Sequence, residues 1–113
     1  MIIAVTGGRD YRRREHVFQT LDSVRTHFGV TSVVQGGAKG ADLLCAAWAI
    51  DRGIPVFAVA ANWDEDEKAA GPIRNAFMLD YFCPALLVAF PGGRGTGSMI
   101  KLATARGVPV YHG

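Results

Sequence analysis

The fold is decided by the stretch Val88-Ala89-Phe90-Pro91-Gly92-Gly93-Arg94-Gly95-Thr96. An apolar run ends there in a glycine-rich turn that carries one cation and one hydroxyl, and a helix-like pattern follows. Consecutive amides in such a turn, together with the positive end of the next helix, can bind an anion. The Thr96 hydroxyl can cap that helix or meet a phosphate oxygen. The stretch therefore predicts a strand, a loop and a helix. The loop is either a phosphate-binding turn or a plain connection with a solvated arginine.

The same strand–loop–helix unit occurs more than once along the chain. Val34–Gly40 leads through a helix-like stretch to Arg52–Phe57, and Phe90–Gly95 leads through another to Arg106–Tyr111. A further loop of this kind, Gly7–Asp10, follows the N-terminal apolar run. Strands that alternate with helices of this length form right-handed βαβ units in a parallel sheet. We predict a Rossmann-like, three-layer α/β fold with a five-stranded parallel sheet, and we assume the strand order 3-2-1-4-5.

Apolar residues at helical spacing predict the helices that connect these strands. One helix is expected over residues 12–28, and another ends near Arg52 with Trp48 in the core. A later helix is predicted to begin at Gly71, because Pro72 then falls near the first turn, where its missing N–H is harmless. The apolar stripe expected for that helix is Ile73, Phe77 and Tyr81, with Met78 and Phe82 beside it.

Composition bounds the class of protein. The chain has 113 residues, of which 50% are hydrophobic and 19% are charged, so residues 1–113 are expected to form one globular domain. The net charge of +2 suits an anionic ligand but is too small to indicate a nucleic-acid binder. Cys45 and Cys83 lack metal-ligand spacing and are expected as buried free thiols in a reducing cytosol. The N-terminal apolar run is too short for a signal peptide or a membrane span, so a cytoplasmic protein is predicted.

The least regular segment covers residues 61–70 and contains Asn62, Trp63 and the acidic run Asp64–Glu67. The acidic run is expected to be a solvated loop, because a metal site would need further carboxylates from elsewhere in the chain. No metal is therefore predicted. Trp63 has two interpretations: its indole stacks on a base of the ligand, or it covers the core or a subunit contact.

The glycine-rich loops are expected to meet at one edge of the sheet, because all strand-to-helix loops of a parallel sheet emerge at its carboxyl edge. That edge would gather Arg9, Lys39 and Arg94, together with Arg74 from the start of a helix. Several cations at one place repel one another unless an anion joins them. This clustering predicts a phosphorylated ligand. For Arg74 the alternative is a surface ion pair with the acidic run.

Two carboxylates lie close to these loops. Asp10 and Asp42 either stabilise the helix N-termini or accept hydrogen bonds from ribose hydroxyls. The structural role is favoured for Asp42, and the role of Asp10 stays open. The sequence contains neither the GxGxxG dinucleotide fingerprint nor the GxxxxGK[ST] P-loop, which argues against ordinary NAD binding and against a P-loop NTPase.

Taken in order, several motifs resemble the SLOG superfamily, and its YspA/YpsA-related branch in particular. The segments that carry the resemblance are Gly7-Gly8-Arg9, Gly36-Gly37-Ala38-Lys39-Gly40-Ala41-Asp42, Asn62-Trp63, Ala70-Gly71-Pro72-Ile73-Arg74-Asn75 with Met78, and Pro91-Gly92-Gly93-Arg94-Gly95-Thr96. They extend over nearly the whole chain. The resemblance implies a Rossmannoid fold, a homo-oligomer, and a pocket for nucleotides or nucleotide derivatives, ADP-ribose-like molecules among them.

The same superfamily contains the LOG-type phosphoribohydrolases, whose pattern couples Arg-Lys-x-x-Met to Pro-Gly-Gly-x-Gly-Thr-x-x-Glu. This chain keeps Arg74, Met78 and the phosphate loop, but it has Asn75 in place of the lysine and Met99 in place of the glutamate. Cleavage of an N-glycoside needs a carboxylate that stabilises an oxocarbenium-like state or activates water. LOG-type catalysis is therefore not expected, and Asp10 is the candidate catalytic residue if the protein is an enzyme.

We predict a binding module, a sensor or carrier of a phosphorylated small molecule. The alternatives are a nucleotide-processing hydrolase that acts on N-glycosides or phosphoesters, and a DNA-associated protein, since the single-strand binder DprA is a distant SLOG relative. No cofactor is predicted beyond the nucleotide-like or ADP-ribose-like ligand, and neither a nucleic-acid nor a membrane partner is expected. The candidate ligand-binding residues are Gly7, Gly8, Arg9, Gly36, Gly37, Ala38, Lys39, Gly40, Asp42, Asn62, Trp63, Arg74, Asn75, Pro91, Gly92, Gly93, Arg94, Gly95 and Thr96.

Overall fold

The computed structural model describes residues 1–62 and 69–113. Trp63 and the acidic run Asp64–Glu67 lie outside the described residues, so their expected roles stay predictions. The elements are β1 (Ile2–Thr6), α1 (Arg14–Phe28), β2 (Ser32–Gln35), α2 (Ala41–Asp51), β3 (Val56–Ala58), α3 (Ala70–Phe82), β4 (Leu86–Ala89), α4 (Arg94–Ala105) and β5 (Val110–His112). None of the described helices is long and apolar enough to cross a membrane.

The strands form one five-stranded sheet in the order β3-β2-β1-β4-β5. Every pairing is parallel, and in the centre Ala4 of β1 lies opposite Val34 on one side and Leu87 on the other. β4 is buried along its whole length, as expected for a strand that helices cover on both faces. The predicted Rossmann-like fold and its strand order are confirmed.

Each face of the sheet carries its own apolar core. On one face, Val17 and Leu21 of α1 and Trp48 of α2 pack with Ile3 and with the other inward-facing strand residues. On the opposite face, α3 and α4 pack with Ala4, Val34 and Leu87. Trp48 is fully buried, which confirms its predicted place in the core.

The apolar stripe predicted for α3 is wrong. Ile73, Phe77 and Tyr81 are exposed by 51%, 48% and 70%, and the rings of Phe77 and Tyr81 stack on each other at 5.1 Å. The face that packs on the sheet carries Ala70, Gly71, Asn75, Met78 and Leu79. Since α3 has apolar residues on several sides, spacing alone does not identify the inner face. Its small residues, Ala70 and Gly71, are the ones that are buried at the start of the helix.

The two cysteines are free thiols, as expected, but only Cys45 is buried. Cys83 is exposed because it follows the last turn of α3, where its φ of 47° ends the helix and its N–H bonds the Leu79 carbonyl. The prediction of two buried thiols is therefore wrong for Cys83.

Candidate functional site

The glycine-rich loops that follow β1, β2 and β4 meet at the carboxyl edge of the sheet. They border a cleft of about 690 Å³. The residues that line the cleft are Thr6, Gly7, Gly8, Arg9, Asp10, Tyr11, Ala38, Asp42, Gly71, Arg74, Pro91, Gly92, Gly93, Arg94, Gly95 and Thr96. The cleft therefore lies where open α/β sheets bind ligands, beside the two strands between which the strand order reverses.

Gly8 joins the three loops through its backbone. Its N–H donates to the Pro91 carbonyl at 2.9 Å, and its carbonyl accepts a hydrogen bond from the Ala41 N–H at 3.1 Å. Gly40 packs directly against this junction with φ 71°, and a Cβ at Gly40 would collide with the Gly8 and Arg9 carbonyl oxygens. The loops can approach so closely only because these positions carry no side chain.

The loop after β4 leads into the N-terminus of α4. This helix begins at Arg94 and has no acidic residue in its first turn. The first amides of a helix have no intrahelical acceptors, and they form its positive end. Thr96 is buried beside Gly92, where a Cβ would collide with the Thr96 hydroxyl oxygen. This end of the cleft therefore offers backbone donors and positive charge to an anion.

Arg74 of α3 reaches back to the loop after β2. Its Nη1 donates to the Gly36 carbonyl at 3.0 Å and to the Val59 carbonyl at 3.5 Å, and its Nε donates to Asn75 Oδ1 at 2.8 Å. Burial lowers the pKa of Arg74, the Asp42 carboxylate opposes that effect, and the nearby Arg9 lowers the pKa further. An arginine keeps its charge under such conditions, so a half-buried cation lines the cleft.

Asp42 stands on the first turn of α2 with its carboxylate almost fully buried. Its Oδ2 accepts a hydrogen bond from the Ala38 N–H at 3.2 Å, and its Oδ1 has no hydrogen-bond partner among the described residues. Desolvation raises the pKa of Asp42 to about 6, although the Ala38 and Gly36 amides and the charges of Arg74 and Arg9 act in the opposite direction. Oδ2 of Asp42 thus has the structural role that was favoured for this residue, whereas Oδ1 accepts no hydrogen bond from the described residues.

A sequence profile of the YspA, cpYpsA-related SLOG family matches residues 1–65, more than half of the 113-residue chain. The chain belongs to this SLOG family. The gene 61 protein of Mycobacterium phage D29 is 34% identical over an alignment of 119 positions, which covers 97% of this chain and 94% of the phage protein.

A solved structure supports the fold assignment. The UDP-GlcNAc 2-epimerase of Neisseria meningitidis, solved with UDP-GlcNAc bound, superposes with a TM-score of 0.63 at 14% identity. The match covers 98% of this SLOG chain and 31% of the epimerase chain. At this identity the likeness shows the Rossmann-like fold alone.

The structure brings most of the predicted site residues of this SLOG protein to the cleft wall, and some lie elsewhere. Arg9, Arg74 and Arg94 line the cleft, whereas Lys39 is exposed and does not line it. Asn75 is buried behind the wall and donates to the Gly95 carbonyl at 3.4 Å. The other predicted residues that do not line the cleft are Gly36, Gly37, Gly40 and Asn62. Ligand binding by any of these residues stays a prediction.

Three residues that line the cleft were not among the predicted site residues: Thr6, Tyr11 and Gly71. Tyr11 is the most informative of them, because its ring packs on Phe90 at 5.6 Å and its hydroxyl is buried without a hydrogen-bond partner among the described residues. The sequence offered one indication of its role: Tyr11 is an aromatic residue two positions after Arg9, in a segment whose other residues are charged.

The position that carries the LOG-type glutamate belongs to the core in this SLOG protein. Met99 is 1% exposed and packs with Ala4, Val34 and Met78 on the α3–α4 side of the sheet. The described carboxylates that line the cleft are those of Asp10, which is exposed, and Asp42. Among residues 1–62 and 69–113, no three His, Cys, Asp or Glu side chains come together as metal ligands.

Proposed function

We propose that this SLOG protein binds a nucleotide or a nucleotide derivative in the cleft at the carboxyl edge of its sheet. The observation that carries the proposal is the placement of Arg9, Arg74 and Arg94 around one cleft that also receives the N-terminus of α4. A phosphate or pyrophosphate group would accept charge-assisted hydrogen bonds from arginine side chains at this cleft and further hydrogen bonds from the loop amides.

The size and shape of the cleft support the same ligand class. Its volume of about 690 Å³ lies within the range of about 300–1,000 Å³ that is usual for small-molecule sites. Glycines form much of the wall near the α4 N-terminus, so a phosphate can approach the backbone closely there. The rest of the cleft leaves room for the sugar and the base.

The proposed role is that of a sensor or carrier domain without LOG-type cleavage. Met99 is a core residue and brings no carboxylate to the cleft, whereas LOG-type enzymes carry a glutamate at this position. One observation favours a second candidate function: the exposed Asp10 lines the cleft and can act as a general base in hydrolysis. The alternative is therefore a nucleotide hydrolase that uses Asp10.

Equilibrium dialysis against AMP, ADP and ADP-ribose, followed by chromatography of both compartments, separates these possibilities. We expect the intact ligand to be enriched with the protein. Free base or ribose phosphate, formed by the wild-type protein and lost in Asp10→Ala, would instead establish the hydrolase. If no compound is enriched and none is cleaved, the nucleotide proposal is wrong.

Arg74→Ala is expected to weaken the binding of AMP about 10-fold or more, because a charge-assisted contact to phosphate contributes about 1.5–3 kcal/mol. The binding of adenosine should change much less, since adenosine lacks the phosphate. Isothermal titration calorimetry of both ligands measures the two effects. Arg106→Ala is the matched control, because Arg106 pairs with Asp80 away from the cleft. Equal weakening of AMP and adenosine would show that Arg74 only holds the Gly36 loop.

A further inference from the structure

Two buried side-chain atoms of the described residues have no hydrogen-bond partner, Tyr11 OH and Asp42 Oδ1. Both residues line the proposed ligand cleft. Buried polar groups are almost always hydrogen-bonded, and each exception needs an explanation. Because both unpaired atoms belong to residues that line the same cleft, we expect polar groups of a bound molecule to be their hydrogen-bond partners.

The surroundings of Asp42 specify what that group is. Arg74 faces Asp42 from α3 and Arg9 faces it from the loop after β1, while Cys45 lies near it on α2. Yet the hydrogen bonds of Arg74 go to the Gly36 and Val59 carbonyls and to Asn75, and none goes to Asp42. The free oxygen of Asp42 therefore needs a hydrogen-bond donor that the described residues do not supply.

The donor must be neutral and must lie close to the phosphate group. A carboxylate repels phosphate, so Asp42 does not contact the anionic part of the ligand. In a nucleotide, the sugar hydroxyls are the neutral O–H donors that lie next to the phosphate, and the base lies further away. A tyrosine hydroxyl can donate to one sugar oxygen or accept from another.

We propose that Asp42 Oδ1 accepts a hydrogen bond from a sugar hydroxyl of the ligand and that Tyr11 OH bonds an oxygen of the same sugar. This inference rests on the proposed function and narrows it, because the pair selects a nucleotide that carries the recognised sugar hydroxyl over the analogue that lacks it. Asp42 and Tyr11 are thus specificity-determining residues. The arginines and the loop amides supply affinity for phosphate that does not depend on the sugar.

The test compares the affinities of AMP, 2′-deoxy-AMP and 3′-deoxy-AMP by isothermal titration calorimetry. The wild-type protein is expected to prefer AMP over at least one deoxy analogue by about 10- to 100-fold, as is usual for a hydrogen bond to a charged group. Asp42→Asn should bring that preference to within about 2-fold and leave the affinity for the deoxy analogue unchanged. Tyr11→Phe should reduce the preference in part. Asp51→Asn, on the exposed end of the same helix, is the matched control and should keep the wild-type preference.

A pH series separates recognition from a purely structural role of Asp42. A hydroxyl donates to the ionised carboxylate, and Asp42 has a pKa of about 6 in the free protein. The wild-type preference for AMP should therefore grow about 10-fold between about pH 5 and about pH 7, whereas that of Asp42→Asn should stay flat. The titration of the phosphate affects AMP and its deoxy analogue equally and cancels in this ratio.

Three results would overturn the inference, and only the third of them would also overturn the proposed function. If the wild-type protein binds AMP and both deoxy analogues equally, or if Asp42→Asn and Tyr11→Phe keep the wild-type preference, the two side chains do not read the sugar and nucleotide binding stands. If the wild-type protein binds none of the three compounds and binds neither ADP nor ADP-ribose, the proposed function fails and this inference fails with it. If it binds only ADP or ADP-ribose, the deoxy analogues of that ligand replace those of AMP in the comparison. Thermal melts of each variant show whether a loss of binding reflects unfolding.

Discussion

Replacing Gly40 with alanine is expected to lower the free energy of unfolding by about 3 kcal/mol or more. Gly40 has a φ of 71° and a ψ of −124°, a conformation that side-chain-bearing residues rarely adopt. A Cβ there would also collide with the Gly8 and Arg9 carbonyls, so the β1 loop would move and strain the bond between the Gly8 carbonyl and the Ala41 amide. Urea unfolding followed by tryptophan fluorescence measures the loss.

Gly97→Ala is the matched control, because it makes the same chemical change at a site without constraints. Gly97 lies inside α4, and a Cβ there would meet no atom within 4 Å. Alanine is the better helix former by about 0.8–1 kcal/mol, so this variant should be slightly more stable than the wild-type protein. A Gly40→Ala variant with wild-type stability would show that the junction tolerates displacement.

Asp42→Asn is expected to stabilise the folded protein at about pH 7 by about 1–3 kcal/mol. Burial raises the pKa of Asp42 from 3.8 to about 6, so the native state binds a proton more tightly than the unfolded state does. The resulting cost of the buried charge is absent below about pH 4, grows between about pH 4 and pH 6, and is fully present above that. Asparagine carries no charge and keeps an oxygen for the Ala38 N–H.

The pH dependence of the difference identifies its cause. The gain in unfolding free energy should be largest at about pH 7 and should vanish near about pH 4, where the wild-type carboxyl is protonated. Asp51→Asn, at an exposed position, should show no such gain. If Asp42→Asn is less stable than the wild-type protein at both pH values, the only role of the Asp42 carboxylate is to hold the loop after β2. A stabilised variant that no longer distinguishes AMP from its deoxy analogues would show a residue kept for binding at the expense of stability.

The sequence predicts the sheet of this protein well, for a local reason. Residues 32–58 and 86–112 each form a complete βαβ unit, and such units have one handedness and place their loops at one edge. The inner face of α3 could not be predicted, because Ile73, Phe77 and Tyr81 are as apolar as the residues that the sheet covers. Only the packing of α3 on β1 and β2 decides between the faces.

The sequence predicts the backbone of the candidate site but not all of its side-chain contacts. The glycine loops mark where the chain turns, and therefore where Arg9, Arg94 and the start of α4 come together. Tyr11 was missed because its position depends on the path of the chain after Arg9, which no short motif encodes. The unpaired oxygen of Asp42 was also beyond prediction, since the sequence does not show that Arg74 bonds carbonyls in its place.

The bonds of Gly8 to the loops after β4 and before α2 also constrain how this family can diversify. An insertion or deletion in any one of the three loops would break its hydrogen bonds to the other two. The length of each loop is therefore constrained by the lengths of the others. Side chains at the rim, such as those of Asp10 and Arg94, are exposed and can be exchanged without that penalty. New ligand preferences should therefore arise by substitution at the rim around a loop framework of constant length.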